Sequence, residues 1–134
     1  MSASQSASRG SRPLSPHLQI YKPIPTMVMS IVHRITGVAL YGGTLLFGWW
    51  LIAAASGPEY YAVVNGILGS WFGLLVMFGF TWALIHHMLG GLRHLAWDLG
   101  HLFDKHVATR MAWATLILSV TLTVAIWVIG AMVL

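Results

Sequence analysis

Residues 111–134, MAWATLILSVTLTVAIWVIGAMVL, carry no charged side chain and are long enough to cross a bilayer as one helix. A helix rises about 1.5 Å per residue, so roughly 20 apolar residues span the ~30 Å of hydrocarbon. Two further uncharged runs meet the same criterion, residues 35–55 and residues 60–85. None of the three alternates polar with apolar positions as a barrel strand does, so helices rather than a closed barrel must satisfy the backbone hydrogen bonds. The expected fold is an all-α membrane protein with three transmembrane helices. Composition agrees: the chain is 57% hydrophobic and only 7% charged, a balance that no water-facing domain surface tolerates.

Polar punctuation marks the ends of these spans. Ser56-Gly57-Pro58-Glu59 separates the first from the second, and residues 100–110, with Asp104 and Lys105, separate the second from the third. Both connections are expected to be short. Residues 1–16 are Ser-rich and contain Arg9 and Arg12 but no apolar centre, so they read as neither signal peptide nor span, and are expected to be disordered or to lie on a partner. The chain therefore divides into an N-terminal segment, residues 1–26, and a transmembrane domain, residues 27–134.

Orientation follows from the seven Lys and Arg residues. Arg9, Arg12, Lys22 and Arg34 precede or open the first span, and Arg93, Lys105 and Arg110 flank the connection between the second and third. All fall on one side, which places the N-terminus in the cytoplasm, or in the matrix of a mitochondrion. The net charge of +4 is explained by this topology and by anionic headgroups, with no need of a nucleic-acid partner. There is no cysteine, which excludes disulfides, iron–sulfur ligation by this chain and thiol nucleophiles.

Against this apolar background, His33-Arg34 and His86-His87 stand out. An ionisable side chain at membrane depth costs a few kcal/mol unless compensated, so each pair reads as a site. At about 100° per residue, His87, Gly91, His94, Asp98 and His101 share an arc of roughly 80°, while His86 and Arg93 lie together on a face about 100° to 120° away. His87 lies about 9 Å deeper than Arg93. If the first helix begins near Met27, Ser30, His33 and Arg34 sit roughly 5 to 10 Å in, at the level of His87 on an antiparallel neighbour. Ser30 and Arg34 share a face, and Gly37 leaves room for something bulky. A b-type haem fits: imidazole ligates iron, Arg and His pair with propionates, and glycine admits the macrocycle. A quinone fits part of the pattern, since Ser and Arg can hydrogen-bond its carbonyl oxygens.

Ser30-Ile31-Val32-His33-Arg34-Ile35-Thr36-Gly37, preceded by Arg12-Pro13-Leu14-Ser15-Pro16-His17-Leu18 and Ile20-Tyr21, resembles the signature of the cytochrome b556 membrane anchors of succinate dehydrogenase, respiratory complex II. His87-Met88-Leu89-Gly90-Gly91-Leu92-Arg93-His94, followed by Asp98, is similar to the second signature of that family, H-x-x-x-G-x-R-H. With three spans and a similar length, the resemblance covers nearly the whole chain.

The resemblance implies a non-catalytic subunit of a quinone-reducing enzyme of the tricarboxylic acid cycle and electron transport. It implies half of a two-subunit helical bundle around haem b, in the bacterial or mitochondrial inner membrane. Partners would be the flavoprotein, the iron–sulfur subunit and a second membrane anchor, with ubiquinone as acceptor. His87 falls on the axial ligand to the haem iron, Ser30 and Arg34 on the ubiquinone-site positions, His33 and Arg34 where the haem propionates are approached, and His94 on a cofactor-binding position. His86 has no equivalent, and a shift of one residue in register would exchange it with His87. The resemblance also implies that the opposing imidazole comes from the second anchor, and the third span, which contains no His, agrees with this.

Blander roles stand beside these: a bundle histidine for His87, an interfacial side chain for Arg34, back-bonding to its own helix for Ser30, and a surface ion pair for Arg93 and Asp98. Trp49, Trp50, Trp71, Trp97 and Tyr60 read as interfacial belt residues, and His17, His101 and His106 as solvated. Two other functional classes compete. A self-contained transmembrane b-type cytochrome needs paired His at depth on two helices. A haem-free channel or proton relay would use the His and Asp face.

Overall fold

The computed structural model describes residues 15–133. The Ser-rich segment with Arg9 and Arg12 lies outside the described residues, apart from its last two positions. Among the described residues all regular structure is helical: a short 3-10 turn at His17–Ile20, then α1 (Pro25–Ser56), α2 (Pro58–Leu68), α3 (Trp71–Asp98) and α4 (Lys105–Val133). Three of these, α1, α3 and α4, are long and apolar enough to cross a membrane, so this is a multi-pass membrane protein. At 32 residues α1 is about 48 Å long, more than the hydrocarbon thickness, and its ends therefore reach the headgroups.

Local chemistry sets each boundary. Pro25 opens α1 at a position where its missing N–H is no loss, and the residue before it, Ile24, is extended as a pre-proline residue must be. Gly57, at φ +117°, breaks the chain between α1 and α2, and Pro58 starts α2. Ser70 caps α3 by accepting a hydrogen bond from the Gly73 N–H at 3.2 Å. Asp104 caps α4, its carboxylate accepting from the backbone N–H of His106 at 2.9 Å and of Val107 at 3.0 Å. Between α3 and α4, Gly100 at φ +82° turns the chain, its N–H donating to the Trp97 carbonyl at 2.8 Å.

One boundary differs from expectation. The uncharged run 60–85 holds two elements, α2 and the first half of α3, divided at Gly69-Ser70. The first connection is thus itself an 11-residue helix. The break is steric: a Cβ at Gly73 would meet the carbonyls of Ile67 and Leu68, so only glycine lets α2 end this close to the start of α3.

The interior is built from small residues. α3 packs against both α1 and α4, which also touch each other. The buried positions include Thr36, Gly43 and Ala53 of α1, Gly73, Ala83 and Gly90 of α3, and Ala112, Thr115, Ser119 and Thr123 of α4. Large apolar side chains such as Val38, Leu45, Ile117 and Ile129 point outward. Helix contact in lipid comes from close backbone approach rather than from apolar burial, so this inversion suits a bilayer. Antiparallel packing brings the start of α1, the end of α3 and the start of α4 to one end. All the described Lys and Arg residues lie there, whereas Glu59 sits at the other end.

Candidate cofactor site at the basic end of the bundle

His33 on α1 and His87 on α3 meet face to face, their ring centroids 3.9 Å apart and their planes 7° from parallel. Reciprocal glycines permit this. A Cβ at Gly37 would stand 3.1 Å from His87 Cε1, and one at Gly90 would meet the His33 ring. The room expected beside Gly37 is thus filled by the His87 imidazole. His94, two turns beyond His87 towards the surface, has its centroid 5.3 Å from that of His33 and packs edge-on to Trp97.

The hydrogen bonds of His87 decide its tautomer. Its Nδ1 lies 3.1 Å from the His33 carbonyl oxygen and 3.3 Å from Thr36 Oγ1. A carbonyl can only accept, and the Thr36 hydroxyl gives its hydrogen to that same carbonyl at 2.9 Å. Nδ1 must therefore carry the proton, which leaves the lone pair of a neutral ring on Nε2.

His86 faces the other way. It is 1% exposed, with Nδ1 3.1 Å from Ser119 Oγ on α4 and its ring centroid 5.1 Å from that of Trp82. Ser119 donates to the Leu116 carbonyl, so His86 Nδ1–H donates to Ser119. The two adjacent histidines thus serve different neighbours: His86 ties α3 to α4, while His87 lies half-buried against α1.

The remaining sequence-derived residues are more dispersed. Ser30 is half-buried and Arg34 exposed, on the α1 face the wheel gives them. Thr44, Ser56, Thr81, Thr109, Thr115, Ser119 and Thr123 each donate to a carbonyl three or four residues back. Among the described residues Ser30 makes no such bond. His17, His101 and His106 are exposed.

Two residues take places in the structure that the sequence did not assign to them. Thr36, 1% exposed, was visible only as part of the first signature. Arg93, expected at the surface with Asp98, is 6% exposed, lies over the Trp97 ring at 5.3 Å, and leaves Nε and Nη1 without hydrogen-bond partners. Its helical offset from His87 signalled a separate face but not its burial. At the far end an apolar cavity of about 510 Å³, lined by residues including Trp50, Asn65, Phe80 and Trp127, holds no ionisable side chain.

The sequence matches the family described as succinate dehydrogenase/fumarate reductase transmembrane subunit over residues 8–126. It is 43% identical over 116 residues to the succinate dehydrogenase cytochrome b556 subunit of Paracoccus denitrificans, covering 87% of this chain and 89% of that one. Against the subunit of the same name from Rickettsia prowazekii, identity is 37% over 117 residues, covering 87% and 91%. The mitochondrial succinate dehydrogenase cytochrome b560 subunit of Mus musculus is 39% identical over 115 residues, covering 84% and 66%.

Proposed function

Because the chain belongs to the family of succinate dehydrogenase/fumarate reductase transmembrane subunits, we propose that it anchors a succinate:ubiquinone oxidoreductase and holds one side of a b-type haem through His87. The observation that carries this reading is the placement of His87 Nδ1 against two acceptors on α1, which puts the ring's lone pair on Nε2 at membrane depth. That is what an axial ligand requires. Haem, when bound, supplies a one-electron carrier. His33, Arg34 and His94 would approach its propionates at the basic end, and Ser30 with Arg34 would contribute to the ubiquinone site. Among the described residues the Ser30 hydroxyl makes no bond back to its helix, which leaves it available for that role.

The second axial imidazole would come from the other membrane anchor, and the basic end would face the cytoplasm or matrix, where the iron–sulfur subunit docks with its flavoprotein partner. The enzyme is the complex, in the inner membrane. A self-contained cytochrome ligated by both His33 and His87 is disfavoured, because the two rings are stacked on each other with centroids 3.9 Å apart, which leaves no space between them for a cofactor that both would hold.

Two measurements on protein purified in mild detergent test the reading. A reducible Soret band should be present, and the flavoprotein, iron–sulfur and second anchor subunits should co-purify, identified by mass. A haem-free relay would show no such band, and a self-contained cytochrome would show the band without the partners.

A further inference from the structure

We propose that Thr36 is a positioning residue for the haem ligand: its hydroxyl, spent as a donor on the His33 carbonyl, acts as a fixed acceptor that holds the His87 ring in its Nδ1–H tautomer and orientation. This rests on the assignment of His87 as the axial ligand.

A helical threonine ordinarily needs no function, since its hydroxyl bonds back to a carbonyl of the preceding turn. Thr36 does this too, donating to the His33 oxygen at 2.9 Å. What sets it apart is that its hydroxyl oxygen is also 3.3 Å from His87 Nδ1 on a different helix. Thr36, the His33 carbonyl and the imidazole N–H form a closed triangle with one hydrogen on each donor and none left over. The His33 carbonyl is 3.1 Å from Nδ1, so the ring has two acceptors on one side.

One acceptor defines a direction; two define a plane. The imidazole of a histidine turns about its Cβ–Cγ bond within a broad well, and a single hydrogen bond leaves much of that freedom. Two acceptors on α1, one a backbone carbonyl and one the Thr36 hydroxyl, restrict it, and Gly37 brings α1 close enough to serve as the seat. Thr36 is 1% exposed, so in the native chain its hydroxyl is shielded from water and lipid headgroups. Partners of this kind fix the ring and raise its basicity towards the metal, and losing one typically weakens metal binding by about 10- to 100-fold.

The test uses the assembled complex in membranes, comparing native protein with Thr36→Val, Thr36→Ser, Thr36→Ala and His87→Ala. Two readouts are taken: the rate of haem transfer to excess apomyoglobin, and the low-spin ferric electron paramagnetic resonance signal, which reports imidazole orientation. Thr36→Val keeps the shape without the hydroxyl, and should release haem about 10-fold faster or more and displace or broaden the signal. Thr36→Ser keeps the hydroxyl and should restore both to native values. If the valine variant does not accumulate, Thr36→Ala is read in its place with the same expectation. Native haem release and an unchanged signal in the hydroxyl-free variants overturn the proposal. So does a serine variant as impaired as valine, which would assign the effect to the lost methyl. His87→Ala separates this from the underlying assignment: if its signal is unchanged, His87 is not the ligand, whereas its loss beside a native-like Thr36→Val removes the role of Thr36 alone.

Discussion

Adjacent histidines on one helix point about 100° apart, so only one of His86 and His87 can face a given neighbour. His86 is spent on Ser119 inside the α3–α4 seam, and His87 is seated on α1. His87→Ala should therefore lose or shift the low-spin b-type absorbance, and His86→Ala should keep it; the reverse pattern in reduced-minus-oxidised spectra would transfer the ligand role to His86. The wheel of α3 already separated His87 and His94 from His86 and Arg93, and that division was legible because a helix carries its own angular coordinate. Thr36 was not legible in the same way. Its role depends on what α3 brings to it, and sequence spacing on α1 says nothing about the neighbour's register. The same scale holds the quinone prediction. Ser30 is short and uncharged, so Ser30→Ala should lower succinate:ubiquinone activity while leaving the haem spectrum and succinate oxidation with an upstream artificial acceptor near normal. Arg34→Ala should impair both quinone reduction and the haem spectrum, because in the proposed function this cation would serve propionate and quinone alike. Full quinone reductase activity of Ser30→Ala across quinone concentrations would return that residue to a plain helix position.

At the scale of elements, α3 is held on two sides by different means. Towards α1 the contact is close approach, with the Phe80 ring occupying the space a Cβ on Gly43 would need. Towards α4 it is a polar seam, in which Thr115, Ser119 and Thr123 lie on one stripe and Ser119 receives the His86 N–H. Gly43→Leu should overpack the first contact, costing about 1–3 kcal/mol, and Ser119→Ala should strand a buried donor, also costing about 1–3 kcal/mol. Thermal unfolding in detergent should show both melting earlier than native protein, with Ser119→Ala retaining its haem spectrum; an unchanged midpoint for Ser119→Ala would mean the seam does not hold α4. The three spans were readable from their uncharged runs, but α2 was not, because Gly69-Ser70 carries neither proline nor charge to mark a break. The stop is made by the backbone of Gly73 against α2, a contact between segments that periodicity does not record.

For the whole molecule, the distribution of charge separates a basic end from the opposite one, and the proposed function places the water-soluble partners at the basic end. Lys22, Arg34, Arg93, Lys105 and Arg110 gather at one end of the bundle, and positive residues are retained on the cytoplasmic or matrix side during insertion. Tyr21, 49% exposed, lies just outside α1 at that end, in a stretch free of regular structure between the 3-10 turn and Pro25. Such a stretch is open to proteolysis unless covered. A protease that cuts after aromatic residues should therefore cleave Tyr21–Lys22 only in vesicles sealed with the cytoplasmic or matrix face outward. Cleavage should be fast in the isolated anchor and markedly slower once the iron–sulfur subunit is bound, since the proposed quinone site around Ser30 and Arg34 lies immediately beyond this segment. The two comparisons are independent: cleavage from the opposite face would invert the topology, while equal rates in free and assembled protein would leave the topology intact and move the docking surface away from the segment that leads into α1.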